Sequence, residues 1–273
     1  MNTRVIKSGG ELVIFEKEKL FRSLKSAGAN EDEINRVWHK IKPKIEAENI
    51  STRKIFQLAF NTLKKQRAGI AARYKLKNAM RELGPSGYYF EKLMSHVFMN
   101  AGYKTKTNLI LSGKCINHEV DVQFTNQSEV NWAECKFSNK AGQKVDVKVA
   151  LYFSARFMDL KSAGEVSAKP RNYFPWLISN NRFTKDAMDY GECAGIKMLS
   201  WDYPNKDSLK KLIEKHNAYP ITCLTSITLN EKKLLLSEDV IVCNQIDINK
   251  LEKTLHLSPV RKSKIIEECK WLS

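Results

Sequence analysis

The chain has 273 residues, 42% of them hydrophobic, and its 46 lysines and arginines outnumber 30 acids to give a net charge of +16. This length and apolar content exclude intrinsic disorder as the default and fit two small domains or three very small ones. The charge favours polyanionic partners, with nucleic acid first and nucleotides second, and a lysine-rich soluble protein without such partners is the alternative.

The six cysteines are scattered without a C-x-x-C pair. That usage indicates free thiols in a reducing compartment and argues against a zinc site. The N-terminus lacks an apolar signal region, and no run approaches the 18 apolar residues of a membrane span. We therefore expect a cytoplasmic protein with no membrane partner.

The N-terminal part predicts a hairpin followed by helices. Short strands at 4–7 and 11–15 flank the turn Ser8-Gly9-Gly10. Apolar residues at helical spacing then predict helices near 20–24, 34–45, 55–63 and 70–83, with Ser51 or Thr52 as the N-cap of the third. Gly84-Pro85-Ser86-Gly87 marks the clearest boundary, so we expect a first domain at 1–83. Its 19 basic and 9 acidic side chains give it a net charge of +10.

The central part predicts a mixed sheet flanked by helices, and we place this second domain at 84–203. The predicted order is α-β-β-β-α-β. In chain order the segments are a helix at 88–101 closed by Gly102, strands at 103–111, 118–124 and 130–137, a helix at 145–160, a strand at 173–179, a helix capped by Thr184 and ending at Cys193, and a strand at 196–201. A third, helical domain follows at 204–273, with helices predicted at 208–216, 221–229, 231–236, 249–255 and 261–272.

The hairpin at 118–136 gathers acids and a lysine. Glu119 and Asp121 leave one face of the first strand, and Glu134 and Lys136 leave one face of the second. Such a cluster is costly for stability alone, because one lysine cannot balance three acids without a cation. His118 points to the opposite face, whereas Glu119 either joins the site or pairs with a lysine.

This chemistry suits phosphodiester hydrolysis. Hard cations such as Mg²⁺ or Mn²⁺ prefer oxygen ligands and lower the pKa of an attacking water. Asp121 and Glu134 can supply two ligands and the carbonyl of Cys135 a third. Lys136 can orient or deprotonate the water and offset charge in the transition state.

The spacing Asp121-x12-Glu134-Cys135-Lys136 resembles the PD-(D/E)xK nuclease signature. The flanking blocks Gly87-Tyr88-Tyr89-Phe90-Glu91, Asn100-Ala101-Gly102-Tyr103 and 177–197 resemble type IV (Mrr-like) restriction endonuclease domains. The resemblance implies that Asp121 and Glu134 bind metal, that Lys136 is the catalytic lysine and that Glu91 is the first-helix acid near the metal. Many Mrr-like members have a glutamine-type residue at the position of Glu134. This chain has the acid there, so its acidic set is complete. Capping of its own helix is the alternative role for Glu91.

The opening of the chain resembles the ATP-cone, a regulatory nucleotide-binding module. The resemblance rests on Val5-Ile6-Lys7-Ser8-Gly9-Gly10-Glu11, on 15–20 and on 70–76. It implies that Lys7, Lys19, Thr52 and Arg81 contact phosphate or ribose and that Val5 lies against the base of ATP or dATP. Ser8 stands where the family usually has arginine. A small basic helical domain that contacts DNA is the alternative.

The C-terminal part resembles the tail of helix-hairpin-helix-like modules. The resemblance rests on segments 219–224, 234–236 and 240–243 and on Leu251, and an oligomerisation or capping domain is the alternative.

Together these resemblances imply an α/β protein in which an ATP-cone gates a restriction-type endodeoxyribonuclease that defends against foreign DNA. Cleavage of both strands of a duplex needs two active sites, so we expect a homodimer or a higher homo-oligomer. The rival functions are a catalytically silent, nucleotide-sensing DNA-binding regulator and a structure-specific or RNA nuclease.

Overall fold

The computed structural model describes residues 3–7, 10–47, 50–164, 172–255 and 257–272. They form two compact units. One unit comprises 1–79 together with 219–273, and the other comprises 80–218. No helix among the described residues is long and apolar enough to cross a membrane.

The N-terminal elements follow the predicted pattern closely. They are β1 (Arg4–Ile6), β2 (Leu12–Ile14), α1 (Lys17–Ser26), α2 (Glu31–Ala47), α3 (Thr52–Gln66), α4 (Ala68–Tyr74) and α5 (Leu76–Arg81). Strands β1 and β2 pair antiparallel, as predicted, while Ser8 and Gly9 of the turn lie outside the described residues. The Ser51 side chain caps α3 by accepting a hydrogen bond from the Lys54 amide at 3.2 Å. The single helix predicted over 70–83 is two helices, which meet at Lys75.

The central unit is a five-stranded mixed sheet flanked by helices. Its elements are α6 (Tyr88–Asn100), β3 (Lys104–Ser112), β4 (Asn117–Thr125), β5 (Glu129–Lys136), β6 (Lys144–Val145), α7 (Val147–Gly164), β7 (Asn172–Ser179), β8 (Arg182–Phe183), α8 (Lys185–Cys193), β9 (Lys197–Leu199) and α9 (Leu209–Lys215). The sheet order is β3-β4-β5-β7-β9, antiparallel through β5 and parallel from β5 to β9. The short strands β6 and β8 form a separate parallel pair.

Aromatic contacts place one helix on each face of this sheet. Phe124 of β4 stacks on Phe98 of α6 with ring centroids 3.7 Å apart. Trp132 of β5 makes an edge contact with Phe157 of α7 at 6.0 Å. The predicted mixed sheet with flanking helices is therefore confirmed.

The C-terminal elements are α10 (Leu229–Ser237), α11 (Ile248–Leu255) and α12 (Pro259–Leu272). The helix predicted over 221–229 is wrong, because only Ile221–Cys223 form a single 3-10 turn. The backbone amides here bond across the chain instead: Ile221 N–H donates to the Ile241 carbonyl and Cys243 N–H to the Tyr219 carbonyl.

Both expected domain boundaries move, and three expected domains become two units. Helix α9 belongs to the central unit, because Leu209 N–H donates to the Ser200 carbonyl and Leu209 is fully buried. The remaining C-terminal helices pack with the N-terminal ones. There the Thr222 hydroxyl donates to the Ala79 carbonyl at 2.8 Å, and the Arg73 guanidinium donates to the Trp271 carbonyl at 2.9 Å.

Candidate active site

The sheet opens into a fork at Asp121. Pairing between β4 and β5 runs from Thr125 opposite Val130 to Val122 opposite Ala133 and ends there. Beyond this point β4 continues beside β3 and β5 continues beside β7. The next residues on the two separating strands are Asp121 and Glu134, so the fork presents one carboxylate from each side.

Asp121 bridges the fork through its side chain. Its carboxylate accepts a hydrogen bond from the Cys135 amide at 2.7 Å, which satisfies a donor that the ended ladder leaves free. Burial first and the negative charge of Glu134 second raise the pKa of Asp121 to about 7, although the hydrogen bond from the Cys135 amide opposes the rise. This carboxyl is therefore poised between its charged and neutral forms near neutral pH.

Glu134 is buried and held by two cations. Lys136 Nζ lies 2.5 Å from Glu134 Oε1, and Arg156 Nη1 lies 2.6 Å from Glu134 Oε2. Burial alone would lower the pKa of Lys136, but the hydrogen bond and charge of Glu134 raise it above its ordinary value. Lys136 is therefore an ammonium ion in this arrangement.

Glu91 and Glu119 add to the same acidic cluster. Burial raises the pKa of Glu91, and the charges of Glu119 and Glu134 raise it further. These couplings indicate that Glu91 of α6 lies close enough to Glu119, Asp121 and Glu134 of the two strands for their charges to interact. The negative charge of Glu119 thus acts on Glu91, and its role in the site stays a prediction.

His118 lies away from this cluster. Its Nε2 is 2.8 Å from the Asp159 carboxylate of α7, and the ring is almost fully buried. The amides of Cys115 and Ile116 also donate to that carboxylate. His118 is thus a packed residue, as predicted, but it contacts α7, the helix that also carries Arg156, so its expected place on the face opposite the acids is not what these contacts show.

A divalent cation fits the chemistry of these donors, although their positions are not those of an assembled metal site. Among the described residues, no group of three His, Cys, Asp or Glu side chains is arranged to bind a metal ion. The Cys135 thiol is buried, and burial raises its pKa well above the ordinary range, so only its carbonyl suits a hard cation. The mutual repulsion of Asp121, Glu134 and Glu91 is what a cation would relieve.

Arg156 is the residue that sequence reasoning missed. It lies on α7, where one guanidinium nitrogen contacts Glu134 and the other donates to the Glu119 carbonyl. The Arg156 side chain therefore links α7 to both strands of the fork, to β4 at Glu119 and to β5 at Glu134. One signal was present in the sequence: Arg156 lies beside the apolar helical positions Phe153, Phe157 and Leu160, and a charged residue at such a position needs a buried partner.

A second group of predicted residues meets in the other unit. A cleft of about 530 Å³ is lined by Val5, Lys7, Lys19 and Thr52. Lys7 pairs with Glu11 at 3.1 Å and Lys19 with Glu16 at 2.7 Å. Arg81 does not line the cleft and belongs to the central unit. The structure thus brings four of the five predicted nucleotide contacts together.

Comparison with known proteins relates the chain to a protein family. Residues 219–273 match the family model "AF1548-like, C-terminal", whose start coincides with a unit boundary. Over 131 residues the chain is 36% identical to an uncharacterized protein of Archaeoglobus fulgidus, covering 48% of this chain and 71% of that relative. The chain belongs to the AF1548-like family.

A solved structure agrees with this membership. The crystal structure of AF1548, a protein of unknown function, resembles this family member with a TM-score of 0.55 and 30% identity, over 68% of this chain and 97% of that one. The MspJI restriction endonuclease in complex with a 27-mer oligonucleotide gives a TM-score of 0.36 at 13% identity, over 74% of this chain and 41% of that one. A TM-score that low establishes no shared fold. The ATP-cone and Mrr-like resemblances of this AF1548-like protein stay predictions.

Proposed function

We propose that this protein is a metal-dependent endodeoxyribonuclease of restriction type that acts on double-stranded DNA. The observation that carries the proposal is the fork, where Asp121 and Glu134 meet beside Lys136 with the pKa of Asp121 raised to about 7 by burial and by Glu134. The charges of Glu134 and Glu91 both raise the pKa of Asp121, and a bound cation would relieve this repulsion.

Each residue has a role in this proposal. The carboxylates of Asp121 and Glu134 and the carbonyl of Cys135 would hold Mg²⁺ or Mn²⁺. When bound, such an ion supplies charge neutralisation at the phosphate and acidifies the attacking water. Lys136, an ammonium ion here, stabilises negative charge on the phosphate oxygens. Glu91, in the first turn of α6, would orient the water, and Arg156 fixes the Oε2 oxygen of Glu134.

The N-terminal cleft supplies the regulation in this proposal. Val5 would lie against the base of ATP or dATP, and Lys7 and Lys19 would exchange their present glutamate partners for phosphates. A homodimer or higher homo-oligomer would bring together the two active sites that duplex cleavage needs. Defence against foreign DNA in the cytoplasm is the role that this activity suits.

The test is conversion of supercoiled plasmid with Mg²⁺, with EDTA, and with or without ATP and dATP. We expect Mg²⁺-dependent cleavage that Lys136→Ala lowers about 10²- to 10⁴-fold. Lys104→Ala removes an exposed lysine from β3 and should leave the rate unchanged. Lys19→Ala should abolish the nucleotide effect alone. Cleavage that survives Lys136→Ala would overturn the assignment, and branched DNA and RNA substrates would identify the rival nuclease classes.

One observation favours a second candidate, a catalytically silent DNA-binding regulator. Both oxygens of Glu134 are already engaged by Lys136 and Arg156, which satisfies that carboxylate without a metal. Duplex binding that is equally tight in EDTA and in Mg²⁺, with no cleavage of any substrate, would establish this candidate.

A further inference from the structure

A larger cavity lies in the central unit, apart from the acidic fork. It encloses about 790 Å³, within the range of small-ligand sites, and neither Asp121 nor Glu134 lines it. Its lining is rich in aromatic side chains, namely those of Phe98, Tyr103, Phe124, Trp176 and Tyr203.

The aromatic lining is rigidly built. Phe98 and Phe124 are buried and stack within 4° of parallel, and Trp176 meets both rings edge-on at 5.6 and 5.4 Å. The indole N–H of Trp176 donates to Asn131 Oδ1 at 2.8 Å, which fixes the ring. Trp176 and Tyr203 are half-buried, so both keep part of their ring surface accessible. The cavity therefore offers aromatic surface that is already ordered.

Polar groups of both signs complete the lining. Lys197 Nζ lies 5.3 Å from the Trp176 ring centroid, and Lys215 and His216 add further donors. Glu192 and Asp207 supply acceptors. An apolar helix would leave these groups without partners, whereas a flat heteroaromatic ring with donors and acceptors on its edge matches both the aromatic and the polar parts. A nucleobase has this chemistry.

The distance along α6 relates the cavity to the fork. Glu91 of the acidic cluster and Phe98 of the cavity are seven residues apart on this helix, which corresponds to a rise of about 10 Å. Stacked bases rise about 3.4 Å per step along one strand. A strand with a phosphate at the acidic cluster would therefore bring a base about three steps away to the cavity.

We propose that this cavity binds a nucleobase from a single-stranded or locally opened stretch of nucleic acid, about three nucleotides from the phosphate at the acidic cluster. The placement beside a cleaved phosphate rests on the proposed nuclease function. Binding of the base itself does not.

The experiment uses the full chain carrying Lys136→Ala and a short single strand that contains one 2-aminopurine, a base whose fluorescence falls on stacking. We expect quenching on binding. Tyr203→Leu removes a ring but keeps apolar packing, and it should weaken binding about 5- to 150-fold and restore the fluorescence, the effect of one lost base–aromatic stack. Met158→Ala removes an exposed apolar side chain of α7 outside the cavity and should change neither signal.

A second measurement changes the strand and leaves the cavity lining unaltered, so its result does not depend on whether Tyr203→Leu folds. The same strand with an abasic site in place of 2-aminopurine should bind more weakly by a similar factor. Binding without quenching, or equal affinity for the abasic strand, would overturn the proposal. Quenching without cleavage by the parent protein would support the nucleobase site and overturn the proposed nuclease function. Cleavage without quenching would support the nuclease function and overturn the nucleobase site.

Discussion

At the scale of single residues, Arg156 decides how Glu134 can be buried at the fork. Removing one partner of a buried ion pair costs about 3–5 kcal/mol, because the remaining charge is left uncompensated. Lys136 still faces Glu134 after such a change, so the loss at this site should lie at or below the lower end of that range. Arg156 therefore stabilises the fold as well as the proposed site.

We predict that Arg156→Ala lowers the free energy of unfolding by about 1–3 kcal/mol. Arg182→Ala is the matched control, because Arg182 pairs with Asp202 at 2.5 Å with both side chains exposed. Exposed pairs contribute about 0–1 kcal/mol, so the control should be nearly neutral. Urea denaturation in EDTA measures both, and equal losses in the two variants would contradict the buried role of Arg156.

Asp121 should make stability depend on pH. Its pKa rises from 3.8 to about 7 on folding. In the unfolded chain the carboxyl ionises near pH 4 and in the folded protein near pH 7, so the folded state binds more protons between these values. The free energy of unfolding therefore falls as pH rises from about 4 to 7, by at most about 4 kcal/mol.

We predict that Asp121→Asn stabilises the metal-free protein at pH 8 but not at pH 4, because the amide keeps the hydrogen bond to Cys135 without the charge. Thermal midpoints at both pH values in EDTA check this. Mg²⁺ should raise the midpoint of the parent protein at pH 8 and leave that of Asp121→Asn unchanged. An Asp121→Asn midpoint that follows the parent at every pH would contradict the assignment.

At the scale of elements, β3 is distorted where it passes the fork. Asn108 has a left-handed φ of +53°, and the pairing of β3 with β4 skips from Thr107 opposite Val122 to Leu109 opposite Val120. The skipped partner of Asn108 is Asp121. The strand that holds Asp121 therefore loses regular pairing on both sides at this one residue.

We predict that Asn108→Val lowers the free energy of unfolding by about 1–2 kcal/mol, since a side chain other than Asn, Asp or Gly pays that amount in the left-handed region. Asn108→Gly should be neutral or slightly stabilising. Thermal denaturation of the two variants separates backbone strain from loss of the amide. A larger loss for Asn108→Gly than for Asn108→Val would show that the amide is what matters.

The elements also show how far the sequence could be used. Alternating residues predict β4 and β5, and their spacing already places Asp121 near Glu134, since strand patterns are local. The end of the ladder at Val122 does not show in that alternation, and Arg156 comes from a helix, 22 residues beyond Glu134. Helical spacing misleads at 221–229, where the Ile221 amide donates to the Ile241 carbonyl and the Thr225 and Ser226 amides donate to the Glu268 carboxylate.

At the scale of the whole molecule, the N- and C-terminal segments form one unit through close packing of α4 on α12. A side chain at Gly69 would place its Cβ 2.3 Å from Trp271. Only glycine allows this approach, and the Arg67 guanidinium lies 4.7 Å from the same Trp271 ring.

We predict that Gly69→Ala loosens α12 and lowers the free energy of unfolding by about 1–3 kcal/mol, the usual range for overpacking. Limited proteolysis should then cut within 219–273 earlier than in the parent protein. Adding Trp271→Gly removes both the Cβ and the ring that a Gly69→Ala side chain would meet, so the double variant should lose less free energy of unfolding than the sum of the two single losses. A Gly69→Ala protein with unchanged proteolysis would contradict the close packing.

The first unit is built from two separate stretches of the chain, 1–79 and 219–273, and this sets an order of folding during synthesis. Residues 1–79 leave the ribosome first, but α4 receives its partner α12 only after the 194 residues from 80 to 273 are made. At about 5–20 residues per second, that interval lasts about 10–40 s. The central unit is contiguous and can fold in this time, whereas the N-terminal helices carry an uncovered apolar surface throughout it. Nascent chains stalled near residue 255, after the central unit has emerged but before α12 is made, should therefore recruit chaperones through their first 79 residues rather than through the sheet.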